Sequence, residues 1–178
     1  MEYTKFSCAN FIVDQLIGKC HILDITILKL QKLLFFAYGI HLTLYDEPLF
    51  EDEYFEAWQH GPVLRSVYKE FKNFGNDNPI IRNYRVCVIE DGDQFVNEVP
   101  SIGYEDEKRE RSLLYTCLHY DYKIGWQMVD SLHNGKNSVW SEIYEKGKNN
   151  IIPPDKIKKI FESNIVKIEE YLIKTCRI

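Results

Sequence analysis

Residues 27–45, ILKLQKLLFFAYGIHLTLY, are apolar around most of a helical circumference. Leu30, Leu33, Leu34, Ala37, His41 and Leu44 recur on one side, and Ile27, Phe35, Tyr38 and Leu42 on another. A helix that is apolar on several sides has no face to give to water, so it lies in the middle of a bundle and other elements cover it. Asp24 or Thr26 is placed to start this helix, and Asp46-Glu47-Pro48 to break it.

The covering elements can be read on either side of it. Ala9, Ile12, Val13, Leu16 and Cys20 keep helical spacing after Ser7, an N-cap type, which predicts an amphipathic helix over about residues 8–17 ending near Gly18. Tyr54 to Trp58 is a short strand-like aromatic run, followed by the tight turn Gln59-His60-Gly61-Pro62. Pro62 suits the first position of a helix whose apolar face is Val63, Val67, Phe71 and Phe74, with Gly75 as its cap. Arg85–Ile89 and Gln94–Val96 flank Asp91-Gly92, the dipeptide of a tight hairpin. Beyond the acidic run to Glu110, a loop or helix start, Leu113, Leu114, Cys117 and Leu118 mark a helix. Trp126 to His133 predict another, and Trp140, Ile143 and Tyr144 a short one between Ser138 and Gly147. Pro153-Pro154-Asp155 opens a last helix with the stripe Ile157, Ile160, Phe161, Ile165, Ile168 and Leu172.

The expected fold is therefore mainly α (α+β): a single-domain helical bundle around a central apolar helix, with a short strand and a small β-hairpin, over residues 1–178. The length of 178 residues allows one hydrophobic core without disulfide or metal staples. The cysteines Cys8, Cys20, Cys87, Cys117 and Cys176 are odd in number and never form CxxC, which reads as reduced thiols in the cytoplasm. The N-terminus lacks the pattern of a signal peptide, and no stretch reads as the roughly 18 apolar residues of a spanning helix.

Charge narrows the function classes. The formal net charge is −5, and residues 90–110 carry eight acids against two bases, so the remainder is nearly neutral. Phosphate contact over a wide surface needs a basic stripe, which argues against nucleic acid as the main partner. Aromatic residues make up 14% of the chain, with 12 Tyr and 10 Phe. Low-GC codon usage explains such a bias without function, and a Tyr-rich contact surface explains it with one.

Catalytic and metal signatures are missing. The sequence holds no G-x-S-x-G, Walker loop, G-x-G-x-x-G or HExxH. Cys117, His119 and Asp121 stand at alternate positions that would converge on a strand, but the segment reads as helix, where they diverge. His41 fits a hydrogen-bonded core histidine better than a catalytic base. Neither cofactor nor metal is expected, and no enzyme activity.

Two stretches fit a purely structural reading less well. Leu30-Gln31-Lys32-Leu33-Leu34 sets a polar pair into the most apolar helix. Ala57-Trp58-Gln59-His60-Gly61-Pro62 packs an aromatic, two polar groups and two backbone specialists into one turn. Rigid turns of this kind present functional groups well, although a helix-edge pair and a tight connection would also explain them. Trp58, between strand and helix, is expected to be mostly buried.

These stretches resemble the signature of the Panacea domain, the family of SocA-like antitoxins and GepA-type phage-associated proteins. The resemblance runs through Leu28–Gly39, Pro48-Leu49-Phe50, Glu56–Val63, Val67-Tyr68 and Phe71. It is strongest over residues 5–75, leaving 76–110 as hairpin and acidic loop and 111–178 as a helical remainder. Ser131-Leu132-His133 and Val139-Trp140 depart from the family's later Leu-Thr-His and Pro-Trp.

The resemblance implies an antitoxin of a toxin–antitoxin system that neutralises a toxin encoded beside it by direct binding. It implies no chemistry. Alternatives are a proteolytic adaptor or phage-associated regulator binding a host protein, and a nucleic-acid-binding repressor. Homo-oligomerisation stays open, and no membrane partner is expected. The partner contacts would be Gln59, His60, Arg65 and Tyr68, with Leu30, Gln31, Lys32, Leu33, Leu34, Trp58, Gly61 and Pro62 as signature residues that build the scaffold.

Overall fold

Helix α2 (Ile27–Tyr45) begins where the Thr26 side chain accepts the Lys29 N–H at 3.2 Å, satisfying a donor that the first helical turn leaves open. It ends at Asp46, whose backbone is left-handed at φ 57° while its N–H still donates to Leu42. Aspartate tolerates this conformation better than most side chains. The computed structural model describes residues 4–74, 77–80, 88–89, 97–103, 105–120, 139–162 and 170. Within them the protein is mainly helical with small antiparallel β elements, an α+β arrangement around α2.

By length and composition α2 would reach across a membrane, contrary to the sequence expectation, but 83% of its apolar window is buried inside the protein. Its cover comes from α1 (Thr4–Val13), α3 (Arg65–Phe71), α4 (Glu107–Tyr120) and α6 (Pro154–Glu162). Phe35, Tyr38, Phe50 and Phe55 form an aromatic cluster on one side, with Phe35 edge-on to Phe55 at 5.2 Å. Gly39 faces α6 on another side, and a Cβ there would overlap the Phe161 ring. The glycine lets the two helices approach.

Helix α1 starts earlier than expected, at Thr4, and Ser7 is a buried residue within it. Gly18 does not end it either. The backbone widens into a π-helical turn, Asp14–Lys19, with Cys20 N–H donating to Gln15 O. That turn keeps Leu16 and Ile17 in the core, so burial of the apolar stripe outweighs the glycine as a stop signal. Helix α4 is capped by Asp106, whose carboxylate accepts the Arg109 N–H and pairs with its guanidinium. Its buried face includes Leu113 and Cys117, whereas Leu118, expected on that face, is exposed.

The short strand has a partner that the sequence did not reveal. β1 (Glu56–Trp58) pairs with β2 (Gly61–Val63) across the two-residue loop Gln59–His60. Pro62 therefore lies in a strand, and α3 begins three residues later at Arg65. Gly61 adopts φ 99°, which turns the chain back instead of into a helix. Ala57, opposite Pro62, gives its N–H to Asn150 on the far side of β1. Pro62 thus occupies a ladder position that needs no N–H. Residues 150–152 flank β1 as a third extended segment, Ile152 N–H donating to Phe55 O at 2.8 Å.

A second hairpin joins β3 (Val88–Ile89) to β4 (Asn97–Glu98), just past the expected return strand Gln94–Val96. Its Asp91-Gly92 turn, the Gly75 cap, the helix at Trp126–His133, Ser138, and Ile165, Ile168 and Leu172 lie outside the described residues. Helix α5 (Val139–Ile143) runs to a turn at Gly147, φ 82°, and α6 starts at Pro154 as the sequence indicates.

Candidate functional site

The β1–β2 turn and α3 are held from beneath by the polar pair of α2. Gln31 and Lys32 are 2% and 0% exposed, so neither lies on a helix edge. The Gln31 amide donates to Leu64 O at 3.2 Å and accepts the Leu64 N–H at 2.8 Å. The Lys32 ammonium group donates to Pro62 O at 3.0 Å. Burial lowers the Lys32 pKa to about 7, because the apolar surroundings penalise its charged form. Leu64 is the N-cap of α3 but has no polar side chain; Glu53 caps the helix instead, accepting from the Ser66 N–H at 3.0 Å and from its hydroxyl.

Above this base stands a ridge of interlocked side chains. Arg65 forms a bidentate pair with Glu56, Nε to Oε1 at 2.9 Å and Nη2 to Oε2 at 2.7 Å, which raises the guanidinium pKa. Trp58 Nε1 donates to the same carboxylate at 2.7 Å. The Arg65 guanidinium lies 5.7 Å from the Trp58 ring, and the Tyr68 ring 5.0 Å from it on centroids. Trp140 Nε1 donates to Trp58 O at 2.7 Å, tying the ridge to α5. Such a ridge is fixed before any partner arrives, so little side-chain entropy is lost on contact.

A cleft of about 380 Å³ runs beside the ridge. Buried Ile27 and Val63 and half-buried Leu28, Trp58 and Tyr68 line it; exposed Gln59, His60 and Asp77 stand at its margin. Gln31 also lines it, with both ends of its amide already engaged by Leu64.

The structure brings the expected contact residues together. Gln59 and His60 are exposed at the turn, Arg65 is exposed on α3, and Tyr68 is half-buried beside it. Trp58 is mostly but not fully buried, in line with the expectation. Leu30, Leu33 and Leu34 are core residues, and Gly61 and Pro62 are buried in β2. Sequence reading missed the contacts of Glu56, which binds both Arg65 and Trp58, and of Glu53 and Trp140, and the place of Asp77 at the cleft. Glu56 was within reach as part of the signature and Trp140 as its weaker, later match; Glu53 and Asp77 carry no local signal. Among the described residues, no group of three or more His, Cys, Asp or Glu could hold a metal ion.

The sequence pattern of the family described as antitoxin SocA-like, Panacea domain, matches residues 30–175. The chain belongs to this family. The match begins within α2 and includes the whole ridge, and membership carries an antitoxin role at the family level. Antitoxin SocA of Caulobacter vibrioides is similar, 44% identical over 69 residues, which is 38% of this chain and 36% of that protein. The similarity thus spans about a third of that relative's length. No solved structure matches.

Proposed function

We propose that this Panacea protein is the antitoxin of a toxin–antitoxin pair. It acts in the cytoplasm as a single domain and neutralises a toxin encoded beside it by direct binding. The observation that carries the reading is the prebuilt ridge: Arg65 and Tyr68 stand one helical turn apart beside Trp58, with Gln59 and His60 at the exposed tip. Arg, Tyr and Trp are the residue types that dominate binding energy at interfaces. Neutralisation then works by occlusion or by locking the toxin's shape, with no reaction catalysed. The net charge of −5 weighs against a nucleic-acid-binding repressor.

The test is an Arg65→Ala, Tyr68→Ala double variant co-expressed with the neighbouring toxin. Both side chains reach the surface, so the helical content should change little, while binding weakens by about 2 kcal/mol or more. Growth rescue at the wild-type dose by the double variant rules out the ridge as the contact surface.

A further inference from the structure

The cleft beside the ridge is chemically one-sided. Its buried wall is apolar, Ile27 and Val63 beside half-buried Leu28, and the Gln31 amide already uses one N–H and one carbonyl lone pair on Leu64. Among the described residues lining it, Asp77 is the only one with a formal charge, and it is exposed and in no ion pair with another described residue. Arg65, the nearest cation of the ridge, is neutralised by Glu56. The opening therefore presents an apolar slot with the Asp77 carboxylate at its margin.

We propose that this cleft receives an apolar side chain of a protein partner together with an adjacent Lys or Arg, the apolar group entering between Leu28, Val63 and Trp58 and the cation meeting Asp77. The inference rests on the reading of the ridge as a partner-binding surface and adds what the partner must carry. Charge complementarity selects this occupant: an acidic neighbour would face Asp77, and a polar side chain would lose its water against a largely apolar wall.

The experiment uses the full chain and blocked peptides in a Gly-Ser background that carry Leu-Lys, Leu-Glu or Ser-Lys at their centre, read by proton–nitrogen NMR. The Leu-Lys peptide is expected to move the Trp58 indole and Gln31 side-chain signals, and the Ser-Lys peptide to leave them unmoved. The Leu-Glu peptide should bind about fivefold more weakly, the size of one exposed charge contact. Asp77→Lys, a surface change, should reverse that order, and Leu28→Glu should abolish binding while the melting curve holds. Equal binding of Leu-Lys and Leu-Glu, or no movement at Trp58, overturns the proposal. So does movement of the same signals with protein concentration alone, which would mean that a second copy fills the cleft. Failure here with loss of neutralisation in the Arg65, Tyr68 variant removes the cleft and keeps the ridge; peptide binding with undiminished neutralisation by that variant removes the ridge instead.

Discussion

Gln31 closes a two-point hydrogen bond on the backbone of Leu64, 33 residues downstream, and so sets where α3 begins. Both groups of Leu64 lie in a buried region where water cannot replace a lost partner. Gln31→Leu fits the space but leaves a donor without a partner and an acceptor weakened, each change worth about 1–3 kcal/mol. The urea midpoint should fall accordingly, and amide exchange should accelerate first in α3. Unchanged exchange at Tyr68 would show that α3 holds its position without the clamp.

Lys32 should make stability depend on pH on the alkaline side. Burial lowers its pKa from 10.5 to about 7, so between these values the unfolded chain binds a proton that the folded chain does not. Stability therefore rises with pH through that window and is lowest below about 7, with an upper bound of about 5 kcal/mol for the full span. Lys32→Met should remove the slope, while its effect at pH 6 sets the lost desolvation penalty against the Pro62 carbonyl left without that donor, about 1–3 kcal/mol. Melting temperatures from pH 6 to 10 test both parts.

His41 should act on the acid side. It is 1% exposed, and its Nδ1 lies 3.0 Å from Ser112 Oγ, where α2 meets α4. Burial, helped by the Arg109 charge, lowers its pKa from 6.5 to about 4. In that interval the unfolded state takes up the proton first, so stability is full above about 6.5 and is lost as the pH falls toward 4, by at most about 3 kcal/mol. Denaturant titrations at pH 4.5 and 7 should differ for the wild type, and the His41 part of that difference should vanish in His41→Leu.

Gly39 and Phe161 should be coupled. Alanine normally stabilises a helix interior by about 1 kcal/mol over glycine, but here its methyl group meets the Phe161 ring. Gly39→Ala should instead destabilise by about 1–3 kcal/mol. In the Phe161→Ala background the same change should be neutral or favourable, a non-additivity that a double-mutant cycle measures.

How much of this could be read from the sequence depends on whether the interaction was local. The position of α2 was legible because an all-round apolar helix has one solution, and the turn Gln59–Pro62 because glycine and proline mark it. The burial of Gln31 and Lys32 was not legible: polar residues default to solvent in any pattern argument, and their partners lie 33 and 30 residues away. Pro62 suited a helix start as well as an outward-facing strand position. The choice between them is made by the φ of Gly61, which its identity alone does not fix, and by Lys32 and the segment at Asn150, neither of which a local window contains. Trp140 donates to Trp58 O across 82 positions, and no periodicity announces such a bond. Of the site itself, Arg65 and Tyr68 followed from helical spacing, whereas the cleft needs α2, β2 and Asp77 together.

The pairing of residues 150–152 with β1 sets an order of events during synthesis. The signature residues leave the ribosome early, but β1 has an open edge until Ile152 has emerged, and Trp58 lacks its α5 support until Trp140 has. The ridge on a nascent chain is thus unfinished until residues 140–152 have emerged. A ribosome stalled before residue 140 would hold a chain with the motif but without the surface.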